Sequence, residues 1–144
     1  MKRRVRLSLI FAVGLVTGCL RSTDIEGSAA NITGTWRYVA LQTGPTRESL
    51  DGSLSLSRQS GASFEGRLDV QVVDVQTGQS RTANGIVTGS APEGGTVDFD
   101  VSLDSKPRRH VGLLAGDTIT GTWIASAAGG ITGSGTFRAE RMTR

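Results

Sequence analysis

The pentapeptide Ile-Thr-Gly-Thr-Trp occurs twice, at residues 32–36 and 119–123, and each copy ends in one of the chain's two tryptophans. Read with a period of two, Ile32, Gly34 and Trp36 share one face of a strand and the threonines share the other. A β-branched hydroxyl residue suits a solvated strand face, whereas an inward glycine leaves room for a large neighbouring ring. Interiors of small barrels alternate small and large residues in this way. The repeated string therefore predicts two strands of one barrel and leaves a duplicated ligand motif as the less favoured alternative.

Eight alternating runs, separated by turn-forming residues, continue this pattern along the chain, and no helical stripe interrupts them. The runs are 32–42, 53–58, 63–75, 81–90, 96–103, 108–115, 118–125 and 131–142. Many short strands joined by tight hairpins are typical of an antiparallel barrel or sandwich, and simple succession favours closure because closure removes exposed edges. We therefore predict an all-β fold, a single eight-stranded antiparallel up-and-down β-barrel, over residues 32–144.

Three runs carry local irregularities. In the last run, the period of two places Ile131 on the inward face together with Phe137. Val73 and Val75 break the phase of the third run, which predicts a bulge or an outward apolar spot there. The fourth run contains adjacent apolar residues at 86 and 87, so its inward face stays open.

Residues 1–18 have the pattern of a targeting segment. A cationic start is followed by ten apolar residues at 7–16, too few to span a bilayer but enough for the apolar region of a signal peptide. The run ends at Val16-Thr17-Gly18-Cys19, which resembles the lipobox of bacterial lipoproteins. That resemblance implies cleavage before Cys19 and acylation of this residue, the only cysteine in the chain. The alternative is an ordinary secretory signal or a short amino-terminal anchor with an incidental cysteine.

The lipobox resemblance also implies a location. Residues 19–31 are then the lipidated cysteine and a flexible, polar tether, and the partner of the acyl chains is a membrane. Leu20 after the cysteine implies sorting to the outer membrane, so we expect a lipid-anchored protein of the bacterial cell envelope that faces the periplasm. With a single cysteine, the processed chain forms no internal disulfide in that oxidising compartment.

Charge argues against a nucleic-acid partner. Four of the 16 lysines and arginines lie in the predicted signal, at residues 2, 3, 4 and 6, so twelve remain beside 13 acidic residues. A chain close to neutral lacks the basic footprint that phosphate backbones require. The excess of positive charge over the whole chain belongs to the targeting segment.

The segment Gly34-Thr35-Trp36 resembles the Gly-x-Trp strand that opens the barrels of the calycin superfamily, the lipocalins and avidins. In that superfamily a basic residue near the end of the last strand packs across the first tryptophan. Arg141 is the corresponding residue here, because it shares the inward phase of Phe137 and Ala139. The candidate barrel-plug or ligand-contacting residues are Trp36, Tyr38, Trp123 and Arg141. The resemblance does not extend to the middle strands, so biotin binding is not implied.

Catalytic and metal-binding patterns are missing from the sequence. His110 is the only histidine, and no Gly-x-Ser-x-Gly elbow accompanies it. One histidine and one cysteine are too few for a Cys/His metal site, and no calcium or phosphate loop is present. We therefore expect no enzyme activity, no cofactor and no metal, and a structural or solvated role for His110.

Two segments are candidate binding features. Residues 106–110 concentrate charge where the fifth and sixth runs meet. Cross-strand pairing with Asp98, Asp100 and Asp104 is one interpretation, and a site for an anionic partner is the other. Residues 43–51 form the longest predicted connection, which is either a lid over one barrel mouth or a mobile surface loop.

The predicted interior is crowded with aromatic side chains. Six of them fall on inward phases: Trp36, Tyr38, Phe64, Phe99, Trp123 and Phe137. Eight-stranded barrels either fill with side chains or hold one small ligand, and six rings favour a mostly filled barrel with at most a narrow apolar cleft. We expect no inward cluster of polar groups.

These observations predict a non-enzymatic binding or scaffold domain, for a small apolar ligand or an envelope protein. The alternative function is inhibition of a protease or lysozyme through loops presented by the barrel. An enclosed pocket of about 300 Å³ or more, lined by Trp36 and Trp123, would favour a ligand carrier. A solid core with a protruding loop would favour inhibition.

Overall fold

The computed structural model describes residues 29–142, apart from the side chain of Arg58. Cys19, the predicted signal and most of the predicted tether lie outside the described residues. The strands are β1 (Gly34–Gly44), β2 (Glu48–Ser60), β3 (Ser63–Asp74), β4 (Ser80–Ser90), β5 (Thr96–Leu103), β6 (Lys106–Ala115), β7 (Thr118–Ala127) and β8 (Gly130–Arg141). Between residues 29 and 142 there is no helix with the length and apolar character needed to cross a bilayer.

Each strand pairs antiparallel with the next one, and β8 returns to pair with β1. In this closing pair Trp36 lies opposite Arg141, and Ala40 lies opposite Phe137. The predicted closed, eight-stranded, up-and-down barrel is therefore confirmed. The connections are short because tight turns join antiparallel neighbours without any crossover.

The second strand is longer than predicted and includes much of the segment that was expected to be a long connection. β2 begins at Glu48 instead of residue 53, so only residues 45–47 connect it to β1. Leu50 is buried and continues the inward period of Leu54 through Gly52, a position where hydropathy gives no signal. The prediction of a long connection over residues 43–51, whether a lid or a mobile surface loop, is therefore wrong, since most of these residues belong to β1 and β2.

Burial shows which face of its strand each irregular position occupies. Val87 is buried while Ile86 is 73% exposed, so β4 directs its odd-numbered residues inward. Val75 is exposed, as expected for an outward apolar spot. Ile131 is 70% exposed, contrary to its predicted inward position. The pairing of β7 with β8 shifts by one residue between Ala125, which lies opposite Gly133, and Ser126, which lies opposite Ile131. Because of this extra residue, Ile131 points outward although Gly133 and Phe137 point inward.

All six predicted rings are buried in the core, together with aliphatic residues from every strand except β6 and with Ile32 ahead of β1. Tyr38 stacks on Phe137 with ring centroids 6.0 Å apart, and Phe99 meets Phe137 edge to face. Gly135 of β8 shows why glycine faces inward here. A Cβ atom at this position would overlap the carbonyl oxygen of Leu41 and lie 2.9 Å from Nε1 of Trp123.

The two ends of the barrel differ. At the closed end, where β1 begins and β8 finishes, Ile32 is fully buried and Ala30 packs against the core. The side chain of Gln59 accepts a hydrogen bond from the Ile32 amide at 3.1 Å and donates to the Ala30 carbonyl at 2.8 Å. Residues 30 and 31, predicted as part of the tether, thus contact the barrel. The opposite, open end carries the connections 45–47, 75–79, 104–105 and 128–129.

The barrel wall has one short seam. Residues 87–90 of β4 pair with residues 98–101 of β5, giving four pairs, whereas every other neighbouring pair of strands has at least eight. Arg81 of β4 spans the open-end side of this seam. Its guanidinium binds Glu48 at 3.2 Å and Asp104 at 2.8 Å.

Candidate functional site

At the closed end, Arg141 covers Trp36. The guanidinium carbon lies 4.2 Å from the centroid of the indole ring. Nη1 donates to the carbonyl of Thr33 at 2.5 Å, Nη2 donates to the carbonyl of Asn31 at 2.9 Å, and Nε donates to Asp117 Oδ1 at 2.9 Å. Every nitrogen of this guanidinium therefore has an acceptor, as a structural cation–π pair requires when it is partly desolvated.

The indole of Trp36 is also satisfied. Its Nε1 donates to the carbonyl of Ile32 at 3.0 Å, inside the core. Trp36 and Arg141, two of the four candidate residues, thus seal the floor of the barrel with all their polar nitrogens bonded. Their arrangement is that of a plug in which every polar nitrogen already has an acceptor within the protein.

A second arginine–tryptophan pair lies towards the open end. The guanidinium carbon of Arg108 on β6 lies 4.8 Å from the ring centroid of Trp123 on β7. The side chain is inside the barrel, with 5% of the residue exposed. Its Nε and Nη1 atoms are buried and have no hydrogen-bond acceptor, and Nε1 of Trp123 has none either. This pair differs from the floor in that its buried donors are unpaired.

The hairpin between β5 and β6 directs Arg108 inward. Asp104 and Ser105 both have positive φ, as a two-residue type I′ turn needs. The turn sets Arg108 opposite Val101 and His110 opposite Phe99. Residues directly opposite in an antiparallel pair point to the same face, so both polar side chains share the inward face of the β5 core residues.

The side chains of residues 106–110 point to both faces of β6. Arg109 points outward and binds Asp98 at 2.6 Å, which is the predicted cross-strand pairing. Arg108 and His110 lie inside, so the expectation that the interior lacks an inward polar cluster is wrong. Hydropathy does not indicate the inward face of β6, because the apolar residues Val111 and Leu113 lie on its outer face and are exposed. The register of the β5–β6 hairpin could have predicted that Arg108 and His110 point inward, since they lie opposite Val101 and Phe99.

His110 and Tyr38 satisfy each other in the centre of the barrel. The hydroxyl of Tyr38 lies 2.9 Å from Nε2 of His110, and Nδ1 lies 3.1 Å from the carbonyl of Arg108. A carbonyl can only accept, so Nδ1 carries the proton and Nε2 accepts from the Tyr38 hydroxyl. The imidazole also stacks on Phe99 at 4.4 Å. Tyr38, the third candidate residue, is therefore a buried core residue.

Burial shifts the ionisation of this cluster. Desolvation lowers the pKa of His110 to about 3, with the Arg108 charge acting in the same direction and the Arg108 carbonyl opposing. Desolvation raises the pKa of Tyr38. It also lowers the pKa of Arg108, against the attraction of Tyr38, Glu48 and Asp104. Both ring partners are thus neutral near pH 7, and Arg108 is the buried charge, since arginine stays protonated in proteins.

A cavity of about 210 Å³ opens beside Arg108 at the open end. Its lining includes charged residues from four parts of the chain: Glu48, Arg81, Asp104, Lys106 and Arg108. The cavity is smaller than the pocket expected for a carrier of apolar ligands, and its lining is polar instead of being formed by Trp36 and Trp123. Trp123, the fourth candidate residue, lies beneath the guanidinium.

Gln42 shapes one wall of this cavity and was missed in the sequence. It is buried, and its Nε2 donates to the hydroxyl of Thr46 at 3.0 Å and to the Thr46 carbonyl at 3.2 Å. A Cβ atom on Gly133 would lie 3.1 Å from Gln42 Oε1, so glycine there leaves the amide its place. These contacts hold the β1–β2 turn against the mouth.

Nε2 of His110 is bonded to the Tyr38 hydroxyl, and the imidazole is not among the groups that line the cavity. Within residues 29–142, no three His, Cys, Asp or Glu side chains approach closely enough to hold a metal ion.

Several solved structures share the fold. EF1p2_mFAP2b bound to DFHBI superposes with a TM-score of 0.61 at 13% identity, covering 76% of this chain and 93% of that chain. A de novo designed fluorescence-activating β-barrel gives 0.56 at 14% identity, covering 76% and 93%. The redesigned barrel mFAP1 bound to DFHBI gives 0.56 at 14%, covering 76% and 94%. No family model and no curated protein matches the sequence. At such identity the likeness concerns the fold alone, a closed eight-stranded antiparallel barrel.

Proposed function

We propose that this barrel is a non-enzymatic binding domain that takes a small molecule at its open end. The observation that carries the proposal is the buried guanidinium of Arg108, which lines the cavity and has two nitrogens without acceptors. A buried donor left unpaired costs folding free energy. In this barrel the group lies beside a polar opening, through which a ligand can supply the missing acceptors.

Two further observations support binding at the mouth. The interior below Arg108 is filled by rings, so a ligand meets the protein at the open end. EF1p2_mFAP2b and mFAP1, which share the fold, are both bound to the small molecule DFHBI. The alternative of an inhibitor that presents loops has less support, because the described connections contain five residues at most.

We also propose that the domain is held at the bacterial cell envelope through lipidated Cys19. The charge, apolar run and lipobox at residues 1–19 support this location. The chain enters the barrel at the closed end, where residues 30–33 pack. An anchor at Cys19 then attaches to that end, and the mouth opens on the side opposite the anchor.

Nuclear magnetic resonance of the full chain tests binding directly, because the chain has two tryptophans and therefore two indole N–H signals. A panel of small anionic, neutral and cationic compounds should contain at least one that shifts the Trp123 signal and leaves the Trp36 signal in place. The variant Trp36→Phe identifies the Trp36 signal by its disappearance, since both indole N–H groups are buried. A panel in which every compound leaves Trp123 unchanged contradicts the proposal.

Membrane fractionation tests the anchor. The substitution Cys19→Ser should move the protein from the membrane fraction to the soluble fraction without changing its melting temperature. Persistence of the variant in the membrane pellet contradicts anchoring through this residue.

A further inference from the structure

We infer that the ligand of the open end carries a carboxylate, which binds the guanidinium of Arg108 inside the mouth. This inference rests on the proposed function and names the chemical class of its ligand. It follows from the balance of charge in the cavity, from the geometry of the unpaired donors and from the size of the space.

The mouth carries an uncompensated positive charge. Of its three cationic residues, Arg81 is already paired with both carboxylates of the lining, Glu48 and Asp104. Lys106 and Arg108 form no ion pair with any residue of the described chain. The two carboxylates hydrogen-bond or pair with Arg81 and attract Arg108 only from a distance. Three cations against two carboxylates leave the lining with a net charge of +1, and the inner cation has no direct anionic partner.

The unpaired donors suit a carboxylate. A guanidinium can bind a carboxylate along two forked edges, one formed by Nε and Nη2 and the other by Nη1 and Nη2. In Arg108 the first edge contains the unpaired Nε and the second contains the unpaired Nη1. Two oxygens of a carboxylate match such a fork with parallel, charge-assisted hydrogen bonds. Because Arg108 is almost fully withdrawn from solvent, this pairing is little weakened by water.

The cavity sets the size of the ligand. Its volume of about 210 Å³ is below the range of about 300–1,000 Å³ that is typical of drug-sized ligands. Ala125 and Pro45 provide apolar contacts beside the charged groups. A compact carboxylate, or the carboxylate head group of a larger molecule, fits these limits.

Arg141 shows that Arg108 is not simply a second structural cap on a tryptophan. Where this chain uses arginine to close the barrel, all three nitrogens of the guanidinium have acceptors from the protein. Arg108 makes the same contact with its tryptophan and lacks those acceptors. The difference lies in the hydrogen bonds, which a ligand can complete.

The test titrates the full chain with benzoate and with benzamide, which have nearly the same shape but differ in charge. Benzoate should shift the Trp123 indole signal and raise the melting temperature, and benzamide should do so at least about tenfold more weakly, because charge-assisted hydrogen bonds are the stronger ones. Arg108→Met should weaken benzoate binding by about ten- to hundredfold. Arg109→Met, one residue away on the outer face, should leave it unchanged.

The outcomes separate the two proposals. Equal binding of benzoate and benzamide overturns the carboxylate inference while keeping a small-molecule site at the mouth. Unchanged benzoate binding by Arg108→Met also overturns it, provided that the variant gives the wild-type far-ultraviolet circular dichroism spectrum. If that variant does not fold, Arg108→Lys replaces it, because lysine keeps the charge but lacks the fork and should still weaken benzoate. Failure of every anionic, neutral and cationic compound overturns the proposed function together with the inference.

Discussion

The guanidinium carbon of Arg108 lies 4.8 Å from the ring centroid of Trp123, and two buried nitrogens of this arginine have no acceptor. The other Ile-Thr-Gly-Thr-Trp segment ends in Trp36, which Arg141 covers at 4.2 Å with all of its nitrogens bonded. One strand geometry thus occurs twice in the barrel with different hydrogen bonding. Because of that difference, we expect the two arginines to affect stability in opposite directions.

Arg108→Met should stabilise the protein by about 1–3 kcal/mol, the range associated with a buried unsatisfied polar group. Methionine keeps the length of the side chain and removes the unpaired donors, and replacing buried charge by apolar groups is often neutral or stabilising. Urea denaturation of the ligand-free protein measures the change in the free energy of unfolding. Arg109→Met is the matched control, and loss of its exposed pair with Asp98 should cost at most about 1 kcal/mol. A destabilised Arg108→Met variant would show that this arginine is structural.

Arg141→Met should destabilise the protein by about 1–3 kcal/mol, because it removes the cation–π contact with Trp36 and the hydrogen bonds to the Thr33 and Asn31 carbonyls. Thermal unfolding followed by tryptophan fluorescence reports the loss, and Trp36 reports it locally. Arg138→Met on the same strand is the control. Arg138 points outward to Glu140 at 2.6 Å, so its loss should leave the melting temperature nearly unchanged. Equal effects of the two substitutions would argue against a sealed floor.

Gly135→Ala should destabilise the barrel severely, by more than about 3 kcal/mol, because the added methyl group overlaps the Leu41 carbonyl and crowds Trp123. Gly129→Ala in the β7–β8 turn is the control, since a Cβ atom there has no neighbour within 4 Å. Chemical denaturation of both variants provides the comparison. If Gly135→Ala unfolds at the same urea concentration as the wild type, glycine is not what makes room for the indole.

Acid should destabilise the protein through His110. Its pKa is about 3 in the folded state and about 6.5 in the unfolded chain, so the unfolded state binds more protons between these values. The free energy of unfolding should therefore fall as pH drops through this window, by about 2 kcal/mol between pH 7.5 and pH 5 from this residue. Urea denaturation at both pH values measures the loss.

The double variant Tyr38→Phe, His110→Phe isolates that contribution. It replaces both partners of the buried hydrogen bond by apolar rings, which avoids leaving either group unpaired. The variant should lose less stability than the wild type over the same pH interval. An identical pH dependence of the two proteins would assign the effect to the carboxylates instead.

The strands could be predicted because alternation and turn residues agree along most of the chain. In β5, Val97, Phe99 and Val101 alternate with polar residues, and all three are buried as expected. The start of β2 was predicted too late because Gly52 interrupts the apolar signal ahead of Leu54. The strand continues there because its backbone pairs on both sides, with Tyr38 and Val70, and such pairing is invisible to hydropathy.

The candidate site was harder to predict because it breaks the usual relation between polarity and exposure. Arg108 and His110 lie inward, while Val111 and Leu113 of the same strand are exposed. The register of the β5–β6 hairpin decides the matter, and two residues in the turn set that register. Gln42 gave no signal, since a single polar residue near the end of a strand is compatible with either face.

The four-pair contact between β4 and β5 has a mechanical consequence. If the barrel opens, it should open between β4 and β5, because separating these two strands breaks the fewest backbone pairs. Arg81 links the two strands where their backbones no longer pair, since its guanidinium binds Asp104 directly after β5. Because the ion pairs of Arg81 are partly exposed, added salt should weaken them. We therefore expect β4 and β5 to separate more readily at high ionic strength, which would widen the mouth at this one place.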